Sequence, residues 1–161
     1  MPDLTHLDNS NQPRMVDVSQ KTPTTRIATA TCLVTLGAEL MSQMDNGELQ
    51  NKKGPVLQTA ILAGISGTKK TSDLIPLCHP LPLDSAKIQI TPHDEQTLLI
   101  TSTAKTTGKT GVEMEALTGA SVAALTLYDM CKAANPAILI SDLKLAKKTG
   151  GKSDYNTATR P

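Results

Sequence analysis

The chain has no Phe, no Trp and only two Tyr in 161 residues. Its core must therefore be built from aliphatic side chains, Ala and Met. The same lack removes the stacking platforms on which single-stranded nucleic acids lie. Neither sign of charge dominates: 16 Lys and Arg stand against 15 Asp and Glu, a formal net charge of +1. No global field draws nucleic acid or a membrane surface, so an anion site must be a local cluster. No run of about 18 apolar residues is present, which argues against a membrane span. The N-terminal "MPDLTHLDNSNQPRMVD" lacks the apolar stretch of a signal peptide. The three cysteines, Cys32, Cys78 and Cys131, are odd in number, far apart and without a C-x-x-C pair. Neither a disulfide framework nor a structural metal is expected, and a reducing, cytoplasmic setting is.

What is present has a clear order. Residues 1–22 are polar and rich in turn formers, and read as an arm with one extended piece at "RMVDVS". "TTRIATATCLVTL", 24–36, is rich in β-branched residues that alternate with small ones, as in a strand. Leu36, Leu40, Met41 and Met44 recur at helical spacing up to the turn former "DNG". Pro55 suits a first helical position, and Leu57, Ala60, Ile61, Gly64 and Thr68 share a face over about 55–69. "SAKIQITP", 85–92, and "TLLITSTAKT", 97–106, flank the turn "HDEQ" as a hairpin. The longest helical pattern runs over 111–134 and is stopped by Asn135 and Pro136. "AILISDLKLA", 137–146, is the last strand, and "KKTGGKS" reads as a basic, flexible tail.

The order β-α-β-β-α-β predicts an α+β fold of the ferredoxin-like, split βαβ kind. That is a four-stranded antiparallel sheet with both main helices on one face. The domain is expected over 23–148, between an N-terminal arm, 1–22, and a C-terminal tail, 149–161. The other face of the sheet needs cover, and Ile27, Ile88 and Ile100 are expected there, against another subunit.

One loop stands out chemically. "DLIPLCHPLPLD", 73–84, holds Cys78 and His79 among aliphatic residues and between Pro76, Pro80 and Pro82. Prolines on both sides lower the entropy lost in holding one imidazole geometry. Adjacent residues of an extended segment point opposite ways, which disfavours a Cys–His nucleophilic pair. General acid–base work or substrate hydrogen bonding is the more natural task for His79. "TGKTG", 107–111, lacks the earlier glycine of a phosphate loop and reads as a hinge into the long helix. Glu113 and Glu115 fall in the first turn of that helix, where acids favour the macrodipole. Asp129 and Lys132, three apart, form either a surface ion pair or part of a site. Asp129 lies 14 residues beyond Glu115, about 21 Å along the axis. One small ligand bound to one subunit does not reach both, so a shared site requires two chains. Lysines at 52, 53, 132, 147, 148 and 152 offer point charges for a polyphosphate.

"SDLIPLCHPL" and "TGKTGVEMEALTGASVAALTLYDMCK" together closely resemble the MoaC family, the cyclic pyranopterin monophosphate synthases of molybdenum cofactor biosynthesis. "MVDVS" and "LAKKTGGKS" agree, so the resemblance runs from about "LTHLD" to "GGKS", nearly the whole chain. It implies a lyase that converts 3′,8-cyclo-7,8-dihydro-GTP to cyclic pyranopterin monophosphate with release of pyrophosphate. It implies no cofactor, a ferredoxin-like fold, and a homohexamer, a trimer of dimers, with active sites between subunits. Carried over by residue, Asp129 is the acid–base group, with Lys132 and Lys53 as catalytic lysines. Leu77, Cys78, His79, Glu113, Met114, Glu115 and Arg26 line the substrate site. Lys148 and Lys152 reach the triphosphate. "NKKGPV" doubles the lysine and puts Pro55 where an acid is expected, so Lys52 stays open beside Lys53. "GGKSDY" lacks a further expected glycine, which bears on the Lys152 contact.

Overall fold

In the computed structural model, which describes residues 6–159, the alternation in the first strand becomes a two-faced ribbon. Along β1, Thr24–Thr35, the side chains of Ala28, Ala30, Cys32 and Val34 are buried, while Ile27 and Leu33 point to the other face. A short α1, Ala38–Met41, follows, then a hairpin of β2, Gln50–Asn51, and β3, Gly54–Pro55. Next come α2, Val56–Thr68, and a single turn, α3, Thr71–Leu74. β4, Ser85–Pro92, and β5, Thr97–Gly108, precede the longest helix, α4, Glu113–Cys131. β6, Leu139–Thr149, and β7, Tyr155–Asn156, close the chain before a 3-10 turn at Thr157–Thr159. No helix among the described residues is long and apolar enough to cross a membrane.

The fold is α+β, with five strands in the order β4-β5-β1-β6-β7 and every pairing antiparallel. The expected four-stranded sheet is thus corrected to five. Gly150, at φ +83°, reverses the chain, and its amide donates to Asp154 Oδ1 at 3.1 Å. An L side chain would be strained at that φ, and a Cβ there would meet the Thr25 carbonyl. Tyr155 and Asn156 then pair with Lys148 and Lys147. The same turn corrects the reading of "KKTGGKS": Lys147 and Lys148 continue the last strand and do not begin a loose tail. The first five residues of the expected arm, with the start of "LTHLD", and the last two of the tail lie outside the described residues.

α2 and α4 pack on each other and on one face of the sheet. Small residues let them approach: a Cβ on Gly67 would stand 2.6 Å from Val122, and one on Gly64 3.0 Å from the Gly119 carbonyl. Ile88 and Ile100, 5% and 0% exposed, face these helices. Their expected place on the open face is corrected, because Ile100 pairs with Cys32 and so shares its inward side. Ile27 and Leu139 remain exposed on the opposite face.

Local caps explain other departures. Pro55 precedes α2 at its N-cap, with ψ 120°, and is not its first helical residue. The orphan amides of that helix are taken by Glu48, whose Oε1 accepts from Leu57 at 2.7 Å and whose Oε2 accepts from Gln58 at 3.0 Å. A carboxylate there satisfies donors and meets the positive helix end. Glu48→Ala is expected to destabilise the fold by about 1 kcal/mol, read as a lower denaturant midpoint at unchanged slope. An unchanged midpoint would remove the cap from the account.

Candidate functional site

The β2–β3 hairpin puts Lys52 and Lys53 at a two-residue tip, closed by Gly54 at φ +112°. Asn51 fixes this tip: its side-chain amide donates to the Met130 carbonyl at 2.6 Å, and its Oδ1 accepts the Lys53 amide at 2.7 Å. The tip is thereby held against the last turns of α4. Lys53 Nζ lies 3.0 Å from Asp129 Oδ2 and donates to the Asp129 carbonyl at 3.1 Å. Lys132 Nζ lies 2.7 Å from Asp129 Oδ1. Lys52 forms no ion pair among the described residues.

One carboxylate between two ammoniums is held ionised. Hydrogen bonds from Lys132 and then Lys53 pull the Asp129 carboxyl down to about 2. The same contact pushes the Lys132 ammonium above its ordinary range. The stabilisation from Asp129 is present above the usual carboxylate range and is lost as pH falls from there through about 2. The stabilisation linked to Lys132 is lost only as pH rises beyond the usual lysine range. All three side chains are more than half exposed. Exposed ion pairs contribute little to stability.

A second cluster lies at the other end of α4. Leu77, Cys78, His79, Glu113, Met114 and Glu115 line one cavity of about 290 Å³, together with Thr110, Gly111 and Leu81. The proline-braced loop supplies one wall and the first turn of α4 the other. Cys78 and His79 both line it. Residues 75–84 form no strand. Burial and the nearby Glu115 push the Cys78 thiol up, which disfavours a thiolate nucleophile on electrostatic grounds.

Glu115 is 5% exposed. Burial, and then the charge of Glu113, push its carboxyl up. A raised folded-state value means that the ionised form burdens the fold above the ordinary carboxylate range. Glu115→Gln is therefore expected to be more stable than the parent near neutral pH, with the difference shrinking as pH falls through the acid range. Denaturant midpoints of both chains across that range measure it; a gap that does not change with pH would contradict the burial argument.

A second, smaller cavity of about 150 Å³ shares Gly111 and Glu113 with the first. Arg26, Lys148 and Lys152 line it. Lys148 Nζ meets Glu113 Oε1 at 3.0 Å, and Arg26 Nε donates to the Gly108 carbonyl at 3.2 Å. The two cavities share a wall, with Arg26, Lys148 and Lys152 on one side of it and His79 on the other. They are separated from Asp129 by the length of α4, about 21 Å for 14 residues. The chain thus brings the expected site residues into two groups at opposite ends of one helix. No group of three His, Cys, Asp or Glu side chains among the described residues is placed to hold a metal ion.

Sequence reasoning passed over His6, Val16, Val18 and Lys21, which wall the His79 cavity from the arm. His6 sits in a polar segment and gave no periodic signal. "RMVDVS", expected as an extended piece, forms no strand. Its Val16 carbonyl instead accepts from His79 Nε2 at 2.7 Å.

The description "MoaC family" matches residues 15–151 of the chain. The chain is 52% identical to the cyclic pyranopterin monophosphate synthase of Brevibacillus brevis over 150 residues, 93% of this chain and 92% of the relative. To the protein of the same name from Sulfurovum sp. it is 53% identical over 157 residues, 96% of this chain and 99% of the relative. It is also 50% identical, over 95% of its length, to part of a molybdenum cofactor biosynthesis bifunctional protein from Synechocystis sp., of which it spans 45%.

Proposed function

Since the chain belongs to the MoaC family, we propose that it is a lyase of molybdenum cofactor biosynthesis, a cyclic pyranopterin monophosphate synthase. It converts 3′,8-cyclo-7,8-dihydro-GTP to cyclic pyranopterin monophosphate and pyrophosphate. The observation that carries the chemical reading is Asp129 bridged by Lys132 and Lys53 at 2.7 and 3.0 Å. Ring opening, pterin formation and cyclic phosphate closure all move protons, and a positioned carboxylate with two ammonium donors suits that task. In this reading Asp129 is the acid–base group, and Lys53 rather than Lys52 acts beside Lys132. His79, with Leu77, Cys78, Met114 and Glu115, holds the base. Arg26, Lys148 and Lys152 meet the triphosphate, and Glu113 positions Lys148. No cofactor is required, because proton transfer and phosphoryl closure suffice.

The finer architecture belongs to the same proposal. The order β4-β5-β1-β6, with α2 and α4 on one face, supports a ferredoxin-like core to which β7 is an addition. The separation of the two clusters and the exposed Ile27 and Leu139 support a homohexamer, a trimer of dimers, whose sites lie between subunits. The core 23–148, arm 1–22 and tail 149–161 serve as its parts, in the cytoplasm. The test is turnover: purified protein given the cyclised GTP derivative should yield the cyclic monophosphate and pyrophosphate in equal amounts. Absence of both products with intact, assembled protein would sink the reading.

A further inference from the structure

Lys109 of "TGKTG" has no role in the account above. It is half-buried, and its Nζ donates to the Ser19 carbonyl at 2.8 Å, across 90 residues of sequence. Three residues before Ser19, the Val16 carbonyl receives His79 Nε2 at 2.7 Å. The arm is thus fastened at two points on either side of Val18, whose side chain lines the cavity between them. A carbonyl oxygen only accepts, so Nε2 carries a proton in this contact, and a tautomer protonated on Nδ1 alone would lose it. Without the arm, the cavity would lose one wall, the partner of His79 and the cation Lys21.

We propose that Lys109 is a positioning residue that buckles the N-terminal arm across the His79 cavity, closing the binding site and fixing the His79 tautomer through the Val16 carbonyl. This rests on the reading of that cavity as the substrate site. A bound ammonium suits the task better than a neutral donor, because hydrogen bonds from charged groups are the stronger ones. Met in its place keeps the length and apolar stem and removes the donor, while Arg keeps a charged donor.

The test uses the full chain with Lys109→Met, Lys109→Arg and His79→Ala. Amide hydrogen exchange over residues 14–21 and the ¹⁵N signature of His79 are read without substrate, and KM and kcat with the cyclised GTP derivative. Lys109→Met is expected to lose arm protection and the single Nε2–H tautomer. It should also raise KM about tenfold, the scale of one charge-assisted hydrogen bond, with a smaller change in kcat. Lys109→Arg should restore both. Unchanged arm protection in Lys109→Met would overturn the buckle. Lost protection with KM and kcat untouched would overturn the role in closure. In that case His79→Ala tells the two failures apart: if it impairs turnover, only the buckle's role fails, and if it too is silent, the cavity is not the substrate site.

Discussion

Asp129→Asn is expected to lower turnover by about 10²- to 10⁴-fold, the usual contribution of a positioned acid–base group. The fold and assembly should survive. Asn has nearly the same shape and can still lie between Lys53 and Lys132. It cannot take a proton, and its amide presents donors to a pair of donors. The carboxyl sits at about 2 because Lys132 and Lys53 both hydrogen-bond to it. It is ionised throughout the neutral range, so it begins any cycle as a base, and Lys132, held above its ordinary range, begins as an acid. Loss of activity on the acid side of neutrality should therefore not trace to Asp129 in the free protein. Lys53→Met and Lys132→Met should each fall as far as Asp129→Asn, whereas Lys52→Met should fall little. The competing account is a surface ion network. It predicts small stability changes and near-normal turnover in all four variants, because all three triad side chains are more than half exposed. Steady-state turnover beside a thermal scan separates the two.

How far such roles are legible in sequence depends on what fixes each residue. Strand and helix positions follow from period. Ser85–Pro92 matches its expected bounds, and β1 ends one residue early at Thr35. Which face a strand residue takes depends on register, and the alternation of "SAKIQITP" does not say which side meets α2. Ile88 is expected outward for that reason and lies inward. β7 is two residues long and is made by a turn at Gly150, so neither period nor propensity marks it. Glu48 caps a helix nine residues ahead of its partner Leu57, beyond the reach of the usual three-residue capping box. The proline-braced Cys78–His79 loop and the acids Glu113 and Glu115 stand out in the sequence itself, while Leu77 and Met114 came from resemblance, and the fold gathers them all into one cavity. The arm that closes it carries no periodic signal. Its contacts are to backbone carbonyls of Val16 and Ser19, which any residue type supplies.

Mixing two inactive chains is expected to restore activity, from a background near zero to about a quarter of the parent value. One chain carries Asp129→Ala and the other Glu115→Ala, mixed equally under conditions that exchange subunits. The expectation follows from α4. Asp129 lies near its C-terminal end and Glu115 in its first turn, 14 residues apart, so the two carboxylates are about 21 Å distant in one chain. No single purine-derived triphosphate needs both ends of that rigid rod from the same subunit. If each site takes Asp129 from one chain and Glu115 from its neighbour, half of randomly formed pairs are mixed. Each mixed pair holds one doubly altered site and one intact site. The geometry of a two-fold interface makes this unavoidable, because residue i of one chain meets residue j of the other and the reverse. Activity should rise as exchange proceeds, with the KM of the parent, since the restored sites are complete. Exchange itself is followed by mass-tagging one chain. Full exchange with no recovered turnover would place both residues in one chain's site or remove one of them from the chemistry, and either result would break the two-chain arrangement proposed for this protein.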